Sequence, residues 1–306
     1  MALLLREEQV RRLASPTELI KAIDLAMGEL GSGVAQNQPR RRVFPPAGVL
    51  NVMFASWPGG GVSGLKSYSV SSGQARFVVL LYDLQGELIA LVEADHLGAM
   101  RTGAASGVAA RRLLAPGPKI VGIIGTGKQA ETQVIGLRAA IEVSELRVYG
   151  RDPARRADFA RRVGAVACDS PEDCVRGSAV VVTMTPSREP VLESEWVGQA
   201  SLVIGAGSNY PNRRELPGRL VQRARAVVVD QIETALLESG DLLLNDYDPR
   251  NATELGAVIS GDAQIPLGEE PLLFESHGLA LWDVAAAKVV VEAARAAGIG
   301  QEVKIG

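Results

Sequence analysis

The sequence has little charge of one sign, few cysteines and no long apolar run. Its 306 residues carry a net charge of −3, so no strong electrostatic field points to nucleic acid or to an anionic membrane. A stretch of about 18 apolar residues, which a membrane helix needs, is missing. The first ten residues, MALLLREEQV, lack the basic segment and long apolar stretch of a secretory signal. We therefore predict a cytoplasmic protein with neither a nucleic-acid nor a membrane partner.

The two cysteines, Cys168 and Cys174, are separated by five residues and have no histidine nearby. This spacing does not suit a zinc site or a structural disulfide, so we predict two free thiols and no metal site. Hydrophobic residues make up 47% of the chain and charged residues 22%, as in ordinary globular proteins. The length predicts about two domains, each with a sizeable core.

The most informative segment present is residues 125–130, which follows the apolar run 119–124. A buried strand that ends in Gly-x-Gly-x-x-Ala and opens into a helix binds a dinucleotide pyrophosphate. Free N–H groups and the helix dipole favour the anion there; a flavin or another adenylate ligand would use the same cradle. The candidate cofactor-binding residues of this turn are Gly125, Thr126, Gly127, Lys128, Gln129 and Ala130.

Strand and helix signals alternate over residues 116–282, which is typical of a doubly wound parallel sheet. We predict a Rossmann-type dinucleotide-binding domain there, with helices at 128–140 and 154–163. Its six parallel strands would give two mononucleotide-binding halves. The predicted strands are Ile120–Ile124, Leu146–Tyr149, Ala165–Ala167, Ala179–Met184, Ser201–Gly205 and Ala226–Asp230.

The pattern before residue 116 differs and predicts an α+β region with antiparallel strands. Strands are expected at 50–55, 65–70, 77–82 and 87–93, after helices at 8–12 and 16–30. A helix of small residues is expected at 101–114, and the long amphipathic helix at 279–297 should cross back to this region. The fold class is therefore α/β, with residues 1–115 and 283–306 forming a second, substrate-binding and dimerisation domain.

The end of the second Rossmann strand decides between NAD and NADP. An NAD enzyme usually has an acidic residue there for the adenosine ribose, whereas this chain has Gly150 followed by Arg151. A glycine leaves room for a 2′-phosphate, and a guanidinium can pair with it. The pattern favours NADP; NAD is possible if Asp152 turns inward.

Cations stand in otherwise apolar segments of the first domain. Lys66 lies within a predicted strand, where a buried lysine is costly unless it is paired. Arg101 and Thr102 precede the helix of small residues, so Thr102 is expected to cap it and Arg101 to stand at its positive end. Each of these cations either meets an acid of the fold or binds an anionic substrate. The run 40–42 of arginines has the plainer interpretation of a solvated strand edge.

Together, these cations and the glycine turn resemble the ornithine cyclodeaminase/mu-crystallin family, in the same order and over nearly the whole chain. The residues that carry the resemblance are Gln38-Pro-Arg-Arg41, Val52-Met53, Gly64-Leu-Lys66, Arg101-Thr-Gly-Ala-Ala-Ser106, Ile124-Gly-Thr-Gly127, Val182-Thr-Met-Thr185, Arg214-Glu-Leu216, Glu238-Ser-Gly-Asp241 and Glu275-Ser-His-Gly-Leu-Ala280 with Asp283.

The resemblance implies a homodimer that acts on the α-carbon of a small amino acid or of the matching imine. It implies that Arg41, Lys66 and Arg101 hold the substrate carboxylate near the nicotinamide, which orients the α-carbon for hydride transfer. Asn51 and Met53 are further candidate substrate-binding residues. Additional candidate cofactor-binding residues are Thr102, Arg151, Thr183, Met184, Thr185 and Gly205.

Two departures from the family pattern argue against ornithine deamination. Cyclodeaminases of the family carry an Asp shortly after the fifth strand. This chain has Ser208 and Asn209 there, and neither side chain can act as a carboxylate base. The glutamate that holds the distal amine of ornithine is replaced by Asn51. The first departure is shared with the mu-crystallin branch of the family, which looks like ketimine reductases and also lacks that Asp. Asn209 is kept as a candidate catalytic residue, and His277 is a candidate proton donor.

We therefore predict a dimeric NAD(P)H-dependent oxidoreductase of an α-imino or α-amino acid. Two alternatives stay open at this point. One is a cyclodeaminase-type lyase that releases ammonia and recycles a bound NAD. The other is a non-catalytic, NADPH-binding crystallin-like protein, which would have no need for costly cations in an apolar pocket.

Overall fold

The computed structural model describes residues 1–304. Within them the strands form two sheets, one of seven strands and one of eight. The first sheet takes its strands from both ends of the chain, and the second sheet takes its strands from the middle. The predicted α/β fold class, with a parallel sheet and a second α+β unit, is confirmed.

The first sheet is an antiparallel meander extended by two short terminal strands. Its strands are β1 (Ala2–Leu5), β2 (Gln36–Val43), β3 (Gly48–Trp57), β4 (Val62–Ser71), β5 (Gln74–Asp83), β6 (Leu88–Glu93) and β15 (Gln301–Val303). The order is β15-β1-β6-β5-β4-β3-β2, and β1 pairs with β6 in parallel. Strands β3 to β6 are confirmed, whereas β1, β2 and β15 lie outside the predicted set.

Helices cover one face of this sheet. They are α1 (Glu7–Leu13), α2 (Pro16–Gly31), α3 (Asp95–Leu113) and, from the far end of the chain, α11 (Ala280–Ala297). The apolar stripe of α2, which includes Leu19, Ile23 and Met27, is fully buried because it packs against α3 and α11. Helix α11 lies against β2 to β5, so the C-terminal segment builds the core of the first sheet.

The second sheet is entirely parallel in its recorded pairings and has the order β13-β12-β14-β11-β10-β7-β8-β9. Its strands are β7 (Lys119–Ile124), β8 (Val143–Tyr149), β9 (Val166–Ala167), β10 (Val180–Thr183), β11 (Leu202–Gly205), β12 (Ala226–Val229), β13 (Thr253–Glu254) and β14 (Leu272–Glu275). The six predicted strands are all present. The expectation of only six is wrong, because β14 inserts between β11 and β12 and β13 extends the edge.

Helices connect the strands of this sheet and cover it. They are α4 (Lys128–Ala140), α5 (Pro153–Val163), α6 (Pro171–Val175), α7 (Gly218–Arg223), α8 (Ile232–Glu238), α9 (Gly240–Leu243) and α10 (Leu255–Ser260). Helix α4 agrees with its predicted bounds, and α5 begins one residue earlier than predicted.

Helix α3 of the first sheet packs closely against helix α4 of the second, because both have small residues at the contact. A Cβ on Gly103 would lie 1.9 Å from the carbonyl oxygen of Thr132, and one on Gly136 would lie 2.0 Å from that of Gly103. The backbones of α3 and α4 therefore touch, which only glycine permits. This contact fixes the start of the glycine-turn helix against the first sheet, so the cleft between the sheets has a defined width.

Both cysteines are buried and free. Between residues 1 and 304, every helix is too short or too polar to cross a membrane, and no group of histidine, cysteine and acidic side chains is arranged to hold a metal ion.

Candidate active site

A cavity of about 280 Å³ lies between the first sheet and the carboxyl ends of the parallel strands. Ligands of open parallel sheets bind at this edge. One wall carries Lys66 and the stacked rings of Tyr68 and Phe77, whose centroids are 4.9 Å apart. The opposite wall is formed by residues 206–210, after β11, and residues 276–278, after β14.

Lys66 and Arg101 meet at one carboxylate. Lys66 Nζ donates to Asp283 Oδ1 at 2.8 Å, and Arg101 Nε donates to the same oxygen at 3.1 Å. The side chains of Lys66 and Arg101 are 3% and 8% exposed, and that of Asp283 is inaccessible. Both cations line the cavity. The structure thus brings these two predicted residues together, and the acid that pairs with them is Asp283, which also belongs to the motifs that carry the family resemblance.

The surroundings of Lys66 lower its pKa from the ordinary value of a lysine. Burial lowers the pKa of Lys66 to about 8, Asp283 opposes that shift, and the nearby Arg101 lowers the pKa further. The ammonium also lies over the faces of Phe77 and Tyr68, 5.2 and 5.7 Å from their ring centroids, where a cation is stabilised. A buried amine with such a pKa can both bind an anion and release a proton near pH 8.

The third cation of the cavity is Arg40, which corrects the prediction of Arg41. Arg40 is 6% exposed and lines the cavity, whereas Arg41 is exposed. The cause is a β-bulge: Gln38 pairs with Phe54 but Arg41 pairs with Val52, so β2 has one extra residue there. An extra residue in one strand reverses which side chains after it face inward. Arg40 is therefore buried, and the interpretation of the arginine run as a solvated strand edge is wrong for this residue.

Arg40 and Arg42 share a second buried carboxylate, that of Glu238. Although burial opposes the charge of Arg40, Glu238 raises the pKa of that guanidinium above its ordinary value. Arg42 Nε also donates to the Oδ1 of Asn51 at 3.2 Å, and its NH2 donates to the carbonyl oxygen of Asn209 at 3.0 Å. Asn209 lines the cavity, but its recorded contact with Arg42 uses its backbone.

Asn51 and Met53 are each 1% exposed and are not among the residues that line the cavity. Asn51 donates to the carbonyl oxygen of Tyr68 at 3.5 Å, and Met53 pairs with Lys66 across β3 and β4. The structure places both behind the lining residues, so they support the cavity wall rather than face the cavity.

Thr102 does not cap a helix. Helix α3 begins at Asp95, six residues before Arg101, so both Arg101 and Thr102 lie within the helix. Thr102 Oγ1 donates to the carbonyl oxygen of Gly98 at 2.9 Å, as buried threonines in helices commonly do. Arg101 therefore owes its position to Asp283 and not to the positive end of a helix.

The ring nitrogens of His277 are both directed at carboxylates. Nδ1 lies 3.3 Å from Asp230 Oδ1, and Nε2 lies 3.7 Å from Glu275 Oε2. Asp230 also accepts hydrogen bonds from the backbone N–H groups of His277 and Gly278, at 2.7 Å each. His277 lines the cavity, but this geometry does not favour it as a direct proton donor.

The glycine turn has the geometry that a pyrophosphate requires. Gly125 has φ +131°, and a Cβ there would lie 2.3 Å from the carbonyl oxygen of Met184. Gly127 precedes α4, and the space where its Cβ would be is open. Ala130 is fully buried, so the helix packs closely on the sheet. The chain therefore fits a dinucleotide, with the free N–H groups of α4 towards the phosphates.

The other candidate cofactor residues occupy the same edge. Gln129, Thr102 and Met184 line the cavity. Lys128 pairs with Asp95 at the start of α3. A Cβ on Gly205 would lie 2.5 Å from Glu275 Oε1, so this glycine makes room for a buried carboxylate.

At the adenosine end, a Cβ on Gly150 would lie 2.7 Å from the Thr126 side chain. Asp152 caps α5 by accepting from the N–H groups of Ala154 and Arg155 at 3.0 and 3.1 Å. Its carboxylate is thus engaged by the helix, while Arg151 next to it is exposed.

A set of buried acids, absent from the predicted site, holds the loops around the cavity. Glu215 accepts from the backbone N–H groups of Thr185 and Gly207, at 2.7 and 2.9 Å, and so joins the loops after β10 and β11. Asp241 accepts from the N–H groups of Glu215 and Leu216. Burial raises the pKa of Glu215 to about 8 and that of Asp241 to about 6. Thr183, by contrast, is fully buried with an unpartnered Oγ1 among the residues described.

A sequence model described as "Ornithine cyclodeaminase/mu-crystallin family" matches residues 2–298. The chain belongs to this family. The resemblance first drawn from the motifs is thereby confirmed.

Proteins of known name are similar to this chain over nearly its full length. The ketimine reductase mu-crystallin of Mus musculus is 34% identical, over 95% of this chain and 96% of that protein. The structure of Thermococcus litoralis Δ1-pyrroline-2-carboxylate reductase, in complex with NADH and L-proline, is similar with a TM-score of 0.90 and 29% identity, over 98% of this chain and 100% of that one. An archaeal alanine dehydrogenase dimer with bound NAD gives a TM-score of 0.93 and 29% identity, over 100% and 99%.

The relatives confirm that the chain is an oxidoreductase that uses a nicotinamide cofactor. The choice between NAD and NADP and the substrate are separate questions.

Proposed function

We propose that the chain reduces a small α-imino acid with NAD(P)H, or oxidises the matching amino acid. The observation that carries this proposal is the pair of buried cations, Lys66 and Arg101, in the cavity beside the glycine turn. Each gives one hydrogen bond to Asp283. An ammonium has three donors and a guanidinium has five, so both have further donors for a substrate carboxylate.

The carboxylate anchor orients the substrate. Lys66, Arg101 and Arg40 lie around one cavity and would hold the anion by charge-assisted hydrogen bonds. Residues 206–209 and Met184 line the same cavity, so an α-carbon attached to this carboxylate would lie near the residues that would hold the nicotinamide. The bound cofactor supplies or accepts the hydride; the chain supplies the orientation.

Lys66 also fits the role of proton donor, in place of His277. Its pKa of about 8 lies near the pH at which a general acid is most effective. In the reductive direction the C=N nitrogen gains a proton as the α-carbon gains the hydride. Lys66 can give that proton and recover it from solvent.

The acids in and around the cavity are engaged by cations, which disfavours a deaminating lyase. Ser208 and Asn209 follow β11 where such an acid would stand, and Asp283 and Glu238 are each held by two cations. Asp95, which lines the cavity, is paired with Lys128. These contacts favour the oxidoreductase over the lyase.

The wall near Tyr210 also disfavours diamino acids. The guanidinium of Arg42 lies 5.0 Å from the centroid of the Tyr210 ring, and Tyr210 lines the cavity. A second ammonium on the substrate would be repelled by Arg40 and Arg42. These two positive charges share one carboxylate, that of Glu238, so a net positive charge remains. We propose a substrate with a neutral side chain, such as a five-membered cyclic imino carboxylate.

The proposed activity is tested by a screen of cyclic imino acids, and of 2-oxo acids with amines, for oxidation of NADPH and NADH. A parallel incubation with ornithine is checked for ammonia. Turnover of at least one imino acid is expected, with no ammonia from ornithine. Cofactor binding without turnover of any of these compounds would favour the non-catalytic alternative.

We propose NADP as the preferred cofactor, because Asp152 is engaged as a helix cap and Arg151 is free at the end of β8. Replacing Arg151 with alanine should raise KM for NADPH by about 10-fold, the loss of roughly one charge-assisted hydrogen bond, and leave KM for NADH unchanged. Steady-state kinetics with each cofactor measure this. The control is Arg161→Ala on the outer side of α5, and equal losses for both cofactors would contradict the assignment.

We propose that residues 1–115 and 283–306 form the dimerisation domain and that a second copy covers the open face of the first sheet. That face has no helix layer among the residues described, and its Leu50 and Phe54 are 39% and 51% exposed. A groove there is lined by Phe54, Leu65 and Tyr82. Apolar surface of this kind is typical of an interface, and the archaeal relative is a dimer.

The double variant Phe54→Glu/Leu65→Glu should be a monomer, because two buried charges per copy would oppose association. Light scattering after gel filtration gives the mass. Leu267→Glu, at a residue that is fully exposed elsewhere, should stay a dimer. A dimeric double variant would place the interface on another surface.

A further inference from the structure

The carboxylate of Asp283 is close to the cavity but does not line it. Asp283 lies in the first turn of α11, is fully buried, and is absent from the cavity lining. Its Oδ1 accepts hydrogen bonds from both Lys66 and Arg101. Among the residues described, its Oδ2 is buried without a partner. Asp283 therefore contacts the two cations but does not line the cavity.

The three groups come from three separate elements. Lys66 is on β4, Arg101 is on α3 and Asp283 is on α11. Without an acid between them, two buried cations would repel each other and move apart. The first turn of a helix also favours a carboxylate through the helix dipole. The position of Asp283 is thus one where the fold itself supports a negative charge.

The space around the Lys66 ammonium is narrow. A Cβ on Gly98 would lie 2.9 Å from Lys66 Nζ, so α3 approaches the lysine as closely as glycine allows. The ring of Trp282, the neighbour of Asp283, lies 5.6 Å from the guanidinium carbon of Arg101. Each cation thus has close neighbours besides Asp283.

We propose that Asp283 is a positioning residue that holds the Lys66 ammonium and the Arg101 guanidinium together as one carboxylate-binding site without touching the substrate. This inference rests on the proposed function, in which these two cations bind the substrate carboxylate. It adds that their spacing and charge are set from α11.

A change in the pH dependence of activity follows from the same contacts. The groups that face Lys66 are Asp283 from α11, Arg101 from α3, Arg40 from β2, and the Tyr68 and Phe77 rings from β4 and β5. Burial, Arg101 and Arg40 all lower the pKa of Lys66, and Asp283 opposes them. Loss of the Asp283 charge therefore lowers that pKa further. When the pH is raised, the ammonium should then lose its proton, and the enzyme its activity, at a lower pH than in the wild type.

The test is Asp283→Asn, with Glu292→Gln as a control on the same helix, where Glu292 pairs with Lys288 at the surface. In Asp283→Asn, we expect KM for the imino acid to rise by about 10–100-fold, as for the loss of a charge-assisted hydrogen bond. The wild type is expected to lose activity as the pH rises through the Lys66 pKa of about 8, and in Asp283→Asn this decline should occur at lower pH. NADPH affinity should be unchanged, and Glu292→Gln should match the wild type.

Asp283→Glu keeps the charge, so its pH profile should stay near that of the wild type even if its KM rises. A wild-type KM and pH profile in Asp283→Asn would overturn the proposal. Failure of both Asp283 variants to fold, with Glu292→Gln folded, would also overturn it, because Asp283 would then act on stability alone.

The failure of the proposed function would look different. It would appear as a wild-type protein that turns over no imino acid. In that case calorimetric titration with pyruvate, a simple 2-oxo carboxylate, still tests the inference: the wild type should bind it more tightly than Asp283→Asn, and equal affinity would overturn the proposal.

Discussion

Replacing Lys66 with methionine is expected to lower kcat/KM for the imino acid by about 10³-fold, in the middle of the range for loss of a general acid. Methionine keeps an apolar stem beside the stacked rings of Tyr68 and Phe77 but removes the ammonium that contacts Asp283 at 2.8 Å. The variant loses a carboxylate contact and the proposed proton donor together. Because Lys66 lies on the first sheet and the glycine turn on the second, cofactor affinity should not change.

Steady-state kinetics measure the first effect, and the fluorescence of bound NADPH measures the second. Lys288→Met is the matched control, since Lys288 pairs with Glu292 on the surface of α11 and should give wild-type kinetics. If Lys66→Met keeps wild-type activity, neither role assigned to Lys66 is correct.

The second large effect separates two adjacent arginines. Arg40→Met should lower kcat/KM by about 10–100-fold, equivalent to one charge-assisted hydrogen bond, because Arg40 lines the cavity and holds Glu238. Arg41→Met should have no such effect, because Arg41 is exposed.

The two variants differ by one position and make the same chemical change, so each is the control for the other. Kinetics at saturating NADPH give the comparison, and thermal unfolding shows whether loss of the Glu238 pair also destabilises the fold. The opposite pattern, with activity lost in Arg41→Met and kept in Arg40→Met, would contradict the assignment of Arg40 to the substrate.

The comparison of these arginines also explains which parts of the site could be predicted from the sequence. The glycine turn is encoded locally: an apolar strand, two glycines and a small residue suffice, and residues 125–130 have the predicted form. The position of Arg40 depends on a single extra residue between Gln38 and Arg41. Nothing in the run of arginines signals that bulge, although Pro39, which has no N–H to pair, is typical of one.

The start of α3 was misplaced for a similar reason. Helix α3 begins at Asp95 and not at Arg101, and Gly98 within the added turn admits Lys66 against the helix, a contact between distant parts of the chain. The same holds for the strand Leu272–Glu275, a short apolar run that any core segment could supply. Its insertion between β11 and β12 is decided by tertiary packing.

The supporting acids were the least predictable part of the site. Asp283, Glu238, Asp230 and Glu215 lie 217, 198, 47 and 30 residues from partners that they hold. Three of them, Asp283, Glu238 and Glu215, lie in motifs that carry the family resemblance, but their pairing with particular partners depends on the tertiary fold.

The central claim, that the chain transfers a hydride to the α-carbon of an imino acid, is tested most directly by isotope transfer. NADPH carrying deuterium at both C4 positions of the nicotinamide, so that either face delivers deuterium, is incubated with the best imino acid of the screen, and the amino acid product is analysed by mass spectrometry and NMR. The account predicts one deuterium at the α-carbon for each NADPH consumed. Product without deuterium, or ammonia released with no net loss of NADPH, would contradict it.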